Sequence, residues 1–367
     1  MKTRSPYFDA DTVRALQQRI ATGAARLGRD VTFMEVCGTH THAIARAGLR
    51  RLLPANVRLI SGPGCPVCVT PIDYMDRAVA LARRDDVTVC TFGDLMRVPS
   101  SASSLERESA AGRDVRVVYS ARDALRIARE CPQKKVVFLG VGFETTLPTI
   151  AAALEEAERE HIDNFLVLSG AKLIEPPLRA LVADGDVHVD GFLLPGHVSV
   201  ILGANFYRFL EDELHVPGVI VGFAPVDMMA GVAALVEMLE RGEARVENLY
   251  KRVVSAEGNR VARALLARWF EPADTRWRGL GSIPLSGLAF RAQFARRDAG
   301  RLEVTLDPPR EPRGCRCGDV LKGKIEPHQC PLFDRTCTPE TPVGACMVSS
   351  EGTCAAWYRH ERVEVGA

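Results

Sequence analysis

The residues of this sequence with the most chemical potential are its cysteines, which fall into two separate groups. Eleven are present, and more than 180 positions without a cysteine divide the two groups. The groups are Cys37, Cys65, Cys68, Cys90 and Cys131 near the N-terminus, and Cys315, Cys317, Cys330, Cys337, Cys346 and Cys354 near the C-terminus. In a reducing compartment structural disulfides are unfavourable, so clustered cysteines indicate metal binding or redox chemistry. The sequence therefore predicts two regions of thiol chemistry.

Cys65-Pro-Val-Cys68 is a CxxC pair at the start of a predicted helix. A helix N-terminus lowers the pKa of a thiol, and two sulfurs at this spacing can form a reversible disulfide. The preceding Gly62-Pro-Gly64 lets the backbone approach a neighbour closely. The alternative is half of a structural zinc site, but a redox pair is favoured because no second CxxC lies close in sequence.

Cys37 lies in a Gly/Thr-rich loop with His40 and His42, before another predicted helix. A soft thiolate beside imidazoles suits a transition metal such as iron. The alternative makes Cys37 a small buried apolar residue and the histidines helix caps. The neighbouring CxxC loop favours the metal site. Cys90 and Cys131 lie in or beside apolar segments, and we interpret both as packing residues.

The C-terminal cysteines have the spacing of a metal or cluster site. Cys315, Cys330, Cys337 and Cys354 are separated by 14, 6 and 16 residues, and Cys317 and Cys346 are also available. Four thiolates can hold zinc or a [4Fe–4S] cluster. Zinc ribbons generally use close CxxC pairs, which this region lacks. The spacing favours a cluster but leaves zinc open as an alternative.

The overall composition is that of an ordinary globular protein. The 367 residues are 47% hydrophobic and 25% charged, with a formal net charge of +1. No long basic run suggests a nucleic-acid partner, and no apolar run approaches the roughly 20 residues of a membrane span. The N-terminal residues lack the apolar core of a secretory signal. We therefore expect a cytoplasmic protein without nucleic-acid or membrane partners.

Short apolar runs alternate with amphipathic helical patterns, which predicts an α/β fold with parallel sheets and helices on both faces. We expect an N-terminal helical segment at 1–30, α/β units at 31–115 and 116–225, and a C-terminal domain at 226–367 that contains the Cys-rich iron–sulfur region. Residues 200–213 are predicted to form one helix. An alternating pattern predicts a strand at Arg301–Leu306.

Unusual loops follow five of the predicted strands. Parallel α/β sheets bind ligands at the carboxyl ends of their strands, so these loops should lie together on one rim. They are Glu35–His42, Ser61–Cys68, Thr91–Arg97, Gly140–Thr146 and Leu194–Ser199. Glu144 and His197 are candidate acid–base or hydrogen-bonding groups there, although single polar loop residues are more often capping or solvated. Gly140–Thr146 lacks a Walker lysine and a full GxGxxG, so it is weak evidence for a nucleotide site.

These motifs, taken together, resemble the HypD family of [NiFe]-hydrogenase maturation proteins. The resemblance covers nearly the whole chain. It runs through MEVCGTHTHAI, SGPGCPVC, TFGDLMRVP, GVGFETTLPT, LPGHVSVILG, GFAPVD, YKRVVSAEGN, WRGLGSIPLSGL and CPLFDRTCTPETPVGACMVSSEGTCAAWY. One departure is Ala171, where the family often has a polar residue or histidine. This affects the detail of one rim loop.

The resemblance implies a redox-active assembly scaffold rather than a conventional enzyme. Such a scaffold works with the chaperone HypC to hold iron while the Fe(CN)2CO group is built. HypE donates the cyanide, and the product goes to the hydrogenase large-subunit precursor. On this resemblance Cys37 binds the iron with His40 close by, and Cys65 and Cys68 are the redox pair. The [4Fe–4S] ligands it implies are Cys315, Cys330, Cys337 and Cys354, with Cys315 preferred to Cys317 because its spacing fits the family pattern.

The resemblance also places Glu351 beside the cluster, and we expect electrons to pass from the cluster through Cys65 and Cys68 to the iron. Two other functions stay open from the sequence. One is an iron–sulfur-dependent protein disulfide reductase, which would not need the Cys37 loop. The other is a zinc-stapled binding module.

Overall fold

The chain forms two parallel β-sheets, an antiparallel hairpin and a Cys-rich C-terminal region, according to a computed structural model that describes residues 9–185 and 187–362. The strands are β1 (Val31–Glu35), β2 (Val57–Ser61), β3 (Val87–Thr91), β4 (Val115–Val117), β5 (Lys135–Gly142), β6 (Phe165–Ala171), β7 (Gly191–Pro195), β8 (Gly218–Val221), β9 (Val246–Asn248), β10 (Phe270–Trp277) and β11 (Gly281–Phe290).

Fifteen α-helices occur in the described residues. They are α1 (Ala10–Leu27), α2 (Gly38–Arg46), α3 (Pro66–Val69), α4 (Ile72–Ala82), α5 (Leu105–Ala110), α6 (Ala121–Glu130), α7 (Leu147–Arg159), α8 (Glu175–Asp184), α9 (Gly196–Leu202), α10 (Arg208–Asp212), α11 (Pro225–Arg241), α12 (Arg260–Trp269), α13 (Cys317–Leu321), α14 (Ala345–Val348) and α15 (Thr353–His360). Short 3-10 helices span Leu49–Leu52, Gly93–Arg97, Ala204–Tyr207, Ala292–Arg297, Ala299–Arg301 and Pro327–Gln329.

The first sheet has five strands in the order β2-β1-β7-β8-β9, all parallel. One face is covered by α1, α2 and α11, and the core there includes Ile20, Phe33 and Met228. The second sheet has four parallel strands in the order β4-β3-β5-β6, with α6, α7 and α12 on one face. Parallel sheets flanked by helices confirm the predicted fold class, and the Cys-rich C-terminal region is present.

The two predicted units would each keep their strands in one sheet. In the structure, strands of both units are instead distributed over the two sheets. β3 lies within 31–115 but pairs with β5, while β7 and β8 lie within 116–225 but join the sheet of β1. The chain returns to the first sheet through Asp190, whose carboxylate accepts hydrogen bonds from the Thr32 amide at 2.7 Å and from Arg29 at 2.7 Å. Strand pairing is non-local, so the order of strands along the chain could not reveal it.

Two local predictions need correction. The helix predicted over 200–213 is broken at Gly203, whose φ of 87° is a left-handed conformation, and α9 and α10 lie on either side of the break. Arg301–Leu306 forms no strand, since the 3-10 helix Ala299–Arg301 ends there and irregular backbone follows. The strands of that part of the chain are instead β10 and β11, which pair as an antiparallel hairpin.

None of the helices between residues 9 and 362 that the structure describes is long and apolar enough to cross a bilayer.

Candidate functional site

A cavity of about 220 Å³ lies between the carboxyl ends of strands from both sheets. Four of the five predicted loops contribute to its wall, together with the segment that carries Glu351. The lining residues are Val36, Cys37, Thr39, Gly64, Pro66, Phe143, Thr145, Thr146, Ile174, Pro195, His197, Val198 and Glu351. The fifth loop, Thr91–Arg97, instead holds the Cys-rich region. The cavity therefore brings Cys37 and His197 together, as the sequence predicted.

Cys37 lies on the cavity wall because it caps the N-terminus of α2 directly after β1. The backbone of Gly64 packs against it, and the Gly38 amide donates a hydrogen bond to the Gly64 carbonyl at 3.1 Å. A Cβ atom at Gly64 would lie 2.2 Å from the Cys37 nitrogen, so only glycine fits. This contact places the Cys65–Cys68 segment beside the Cys37 loop.

The Cys37 thiol is a poor acid in this environment. Burial raises its pKa to about 12. The His40 and Thr39 amides act in the opposite direction, while the charges of Glu351 and Glu35 raise the pKa further. The thiol therefore keeps its proton at neutral pH.

Glu35 is a fully buried carboxylate at the end of β1. It accepts hydrogen bonds from the Cys37 amide at 3.4 Å and from the Thr41 hydroxyl at 2.7 Å. Arg50 lies 3.7 Å away. Burial raises the pKa of Glu35 to about 7, although Arg50 acts in the opposite direction. Glu35 thus anchors the backbone that carries the thiol.

His40 is buried behind the cavity wall rather than on it. Its Nε2 lies 3.0 Å from the Gly222 carbonyl, and its Nδ1 has no hydrogen-bond partner among the described residues. Because the carbonyl only accepts, Nε2 carries the proton. Burial lowers the pKa of His40 to about 4, so the ring is neutral. Phe223 lies between it and His197, with ring centroids at 4.8 and 4.1 Å.

Cys65 and Cys68 form a disulfide across the first turn of α3, with their Cα atoms 5.3 Å apart. Both are buried, with 4% and 0% of their surface exposed. The residues on either side of Cys65, Gly64 and Pro66, line the cavity. On its other side α3 packs against α14 of the Cys-rich region. The pair therefore lies between the cavity and the C-terminal cysteines.

The six C-terminal cysteines lie close together. The thiols of Cys315 and Cys317, of Cys317 and Cys346, and of Cys346 and Cys354 lie close enough to shift one another's pKa. The interactions among these thiols raise the pKa of Cys315 and of Cys346 and lower that of Cys317.

Burial is the main reason that the pKa of Cys337 is raised. The charges of Cys354 and Cys330 raise it further, which places Cys337 near these two thiols. In residues 9–185 and 187–362, no three or more His, Cys, Asp or Glu side chains are placed to hold a single metal ion. A set of soft sulfur donors suits an iron–sulfur cluster, which spreads its ligands over several irons.

Three hydrogen bonds among the described residues join the Cys-rich region to the predicted loops Glu35–His42 and Thr91–Arg97. Glu351 accepts one from the Thr39 hydroxyl at 2.6 Å, beside Cys37. The Ser349 hydroxyl donates to Asp94 at 2.7 Å, and Arg97 donates to the Pro339 carbonyl. The Thr91–Arg97 loop therefore supports the Cys-rich region instead of lining the cavity.

Glu144 points away from the cavity that its neighbours Phe143 and Thr145 line. One carboxylate oxygen accepts a hydrogen bond from the Ile174 amide at 2.9 Å, and the other has no partner in the described part of the chain. Its side chain lines a separate cavity of about 590 Å³. Burial raises its pKa to about 7. The structure therefore does not place Glu144 among the groups around Cys37.

Sequence reasoning missed Glu35, Arg50 and Phe223. An acidic residue within the apolar run Val31–Val36 was the one available signal, since a buried carboxylate needs hydrogen-bond partners or a cation. Arg50 comes from a segment without any distinctive motif. Phe223 lies in the GFAPVD motif, but an apolar ring carries no sign of a functional role, and only the fold brings the two residues to the site.

The fold and the site together define a class of α/β proteins in which two thiol-bearing loops of one parallel sheet and a loop of a second sheet meet a C-terminal Cys-rich region. The sequence model of the HypD family, described as "Hydrogenase formation hypA family", matches residues 11–361. The chain belongs to the HypD family, which confirms the predicted resemblance.

Named relatives align over nearly the full length. Hydrogenase maturation factor HypD of Escherichia coli (strain K12) is 45% identical, over 98% of this chain and 97% of that protein. The HypD of Cupriavidus necator is 47% identical, over 95% of each chain. The HypD of Rhizobium leguminosarum bv. viciae is 45% identical, over 99% of this chain and 96% of that protein.

The low pKa of His40 predicts a pH-dependent contribution to stability. Between pH 6.5 and pH 4 the unfolded chain binds a proton at His40 that the folded chain does not, so stability is lost as the pH falls through this window. His40→Gln removes this loss, which amounts to about 3 kcal/mol at most. We expect the wild type to lose more stability than the variant between pH 7 and pH 4 in urea unfolding of the iron-free chain.

His215→Asn, at an exposed histidine, is the matched control and should follow the wild type. A stability difference between wild type and His40→Gln that does not change with pH would contradict the account of His40.

Proposed function

We propose that this chain is a hydrogenase maturation scaffold on which the Fe(CN)2CO group of a [NiFe]-hydrogenase is assembled, with Cys37 as the thiolate that binds the iron. The observation that carries the proposal is the position of Cys37 on the wall of a cavity built by loops from both sheets. Membership of the HypD family supports hydrogenase maturation as the process.

The size and lining of the cavity suit this cargo. Its volume of about 220 Å³ is about seven times the share of one water molecule in the liquid, which accommodates an iron with three diatomic ligands. Phe143, Ile174 and Val198 supply apolar wall, which limits water around the ligands. Thr145 and Thr146 supply hydroxyl groups on the same wall.

The Cys37 thiol is prepared for a metal rather than for free nucleophilic attack. Its pKa of about 12 keeps it protonated until ferrous iron displaces the proton. His197 is exposed, so the cavity opens beside it. We propose that a HypC-type chaperone docks on that side and brings a second thiolate, with HypE as cyanide donor and a hydrogenase large-subunit precursor as the destination.

Cys65 and Cys68 are the proposed redox pair of the scaffold. Their conversion from dithiol to disulfide releases two electrons and two protons, directly beside the cavity. Their burial argues against the alternative of a protein disulfide reductase, because the disulfide of another protein cannot reach sulfurs that are 0–4% exposed.

We propose that Cys315, Cys330, Cys337 and Cys354 hold a [4Fe–4S] cluster, which when bound supplies electrons one at a time. The supporting observation is the closeness of the six thiols to one another. A thiol system of this kind needs a reducing compartment, so we propose the cytoplasm as its location.

Replacement of Cys37 tests the scaffold directly. We expect Cys37→Ala to abolish maturation, because the iron loses its ligand in the cavity. The measurement is hydrogenase activity in cells whose own scaffold gene is deleted and replaced by the variant. Cys90→Ala, at a buried cysteine of the second sheet, is the control and should keep the activity of the wild type. Normal hydrogenase activity with Cys37→Ala would refute the proposal.

A second prediction separates the CxxC pair from the cluster. The double variant Cys65→Ala/Cys68→Ala should retain about four irons per chain and the visible absorption of the cluster after anaerobic purification. It should nevertheless support no hydrogenase maturation in the same cells. Full maturation would remove the redox role of the pair, whereas loss of iron would mean that the pair helps to hold the cluster.

A further inference from the structure

We propose that Arg50 is a positioning residue that joins the Cys-rich end of the chain to the loop that carries Cys37. The inference rests on the proposed role of Cys37 in binding iron, and it adds a physical connection between the two thiol regions. Arg50 lies in the 3-10 helix Leu49–Leu52, outside every motif that the sequence singled out.

All three nitrogens of the Arg50 guanidinium donate hydrogen bonds. Nη1 donates to the Glu361 carboxylate at 2.5 Å, and Nη2 donates to the Ser61 hydroxyl at 3.0 Å. Nε donates to the Leu59 carbonyl at 3.0 Å. Only 13% of the side chain is exposed. A planar guanidinium with this many fixed contacts has one orientation, so it transmits a displacement of one partner to the others.

On the side of the Cys37 loop, the partner of Arg50 is Glu35. Their charged groups lie 3.7 Å apart, and Glu35 has no exposed surface. Glu35 in turn accepts the hydrogen bonds of the Cys37 amide and the Thr41 hydroxyl. The orientation of the Cys37 backbone therefore depends on a carboxylate that Arg50 holds.

On the Cys-rich side, the partner is Glu361, which follows the last residue of α15. This helix carries Cys354 in its first turn and packs against α2. The Glu361 amide donates to the Trp357 carbonyl at 2.8 Å, and the Arg50 guanidinium lies 5.8 Å from the Trp357 ring centroid. A change in the position of Cys354 therefore reaches Arg50 through one short helix.

The connection runs from Cys354 through α15, Glu361, Arg50 and Glu35 to Cys37. Ordering of the Cys-rich region fixes Glu361, and Glu361 fixes the guanidinium that holds Glu35. Loss of the Glu361 carboxylate leaves Arg50 with its hydrogen bonds to Leu59 and Ser61 and with Glu35, at 3.7 Å, as its remaining acidic partner. The Cys37 loop should then open more often, while the rest of the chain keeps its stability.

The rate at which iodoacetamide alkylates Cys37 measures this opening without any need for iron. Full-length protein is treated under anaerobic conditions, and the modified peptides are quantified by mass spectrometry. We expect Glu361→Ala to raise the Cys37 rate on the order of threefold through local opening. Glu361→Gln should stay close to the wild type, because its amide oxygen still accepts from Arg50.

Two controls make the readout specific to the connection. Glu340→Ala removes an exposed carboxylate from the same region and should leave the Cys37 rate unchanged. Cys90 is fully buried in the second sheet, so its rate in the same samples reports general loosening. In a Glu35→Ala background, which removes the acceptor oxygens at position 35, Glu361→Ala should have little further effect, since the connection is already broken there.

An unchanged Cys37 rate in Glu361→Ala overturns the proposal. Equal acceleration of Cys37 and Cys90 does so as well, because it reveals a loss of general stability. The same acceleration by Glu361→Ala with and without Glu35→Ala overturns the route through Glu35. Failure of Cys37 to bind iron would refute the proposed function and leave these alkylation results standing, so the two failures are distinguishable.

Discussion

The close contact between the backbones of Gly64 and Cys37 is the constraint on which the site depends. A side chain at position 64 would overlap the Cys37 nitrogen, so glycine alone lets the two loops meet. The hydrogen bond from Gly38 to Gly64 fixes their relative position. As a result, the CxxC pair and the single thiol occupy adjacent walls although they follow different strands.

The order of the strands brings loops of both sheets to the cavity beside this contact. Because β7 returns to the first sheet after the chain has built the second, loops after β5 and β7 come from different sheets and still line one cavity. The Cys-rich region then covers the cavity through Glu351 and packs α14 on α3. The Cys65–Cys68 pair therefore lies in space between Cys37, on the cavity wall, and the C-terminal cysteines. The three have different proposed roles.

The sequence predicted the fold class and the meeting of the loops, but not the assignment of strands to the two sheets. Loops such as Ser61–Cys68 were recognisable because glycine, proline and cysteine directly follow an apolar strand, and their meeting point followed from the geometry of parallel sheets. Sheet membership was not predictable, because pairing of β1 with β7 is a long-range event. The direction of Glu144 depends on the local turn, and Arg50 matters only through partners that the fold brings to it.

The central claim is that Cys37 holds the iron while its diatomic ligands are attached. Infrared spectroscopy of the chain, purified without oxygen together with a HypC-type chaperone, tests it most directly. The account predicts stretching bands of bound cyanide and carbon monoxide for the wild type and for Cys90→Ala, and none for Cys37→Ala. The same bands in Cys37→Ala would contradict the claim.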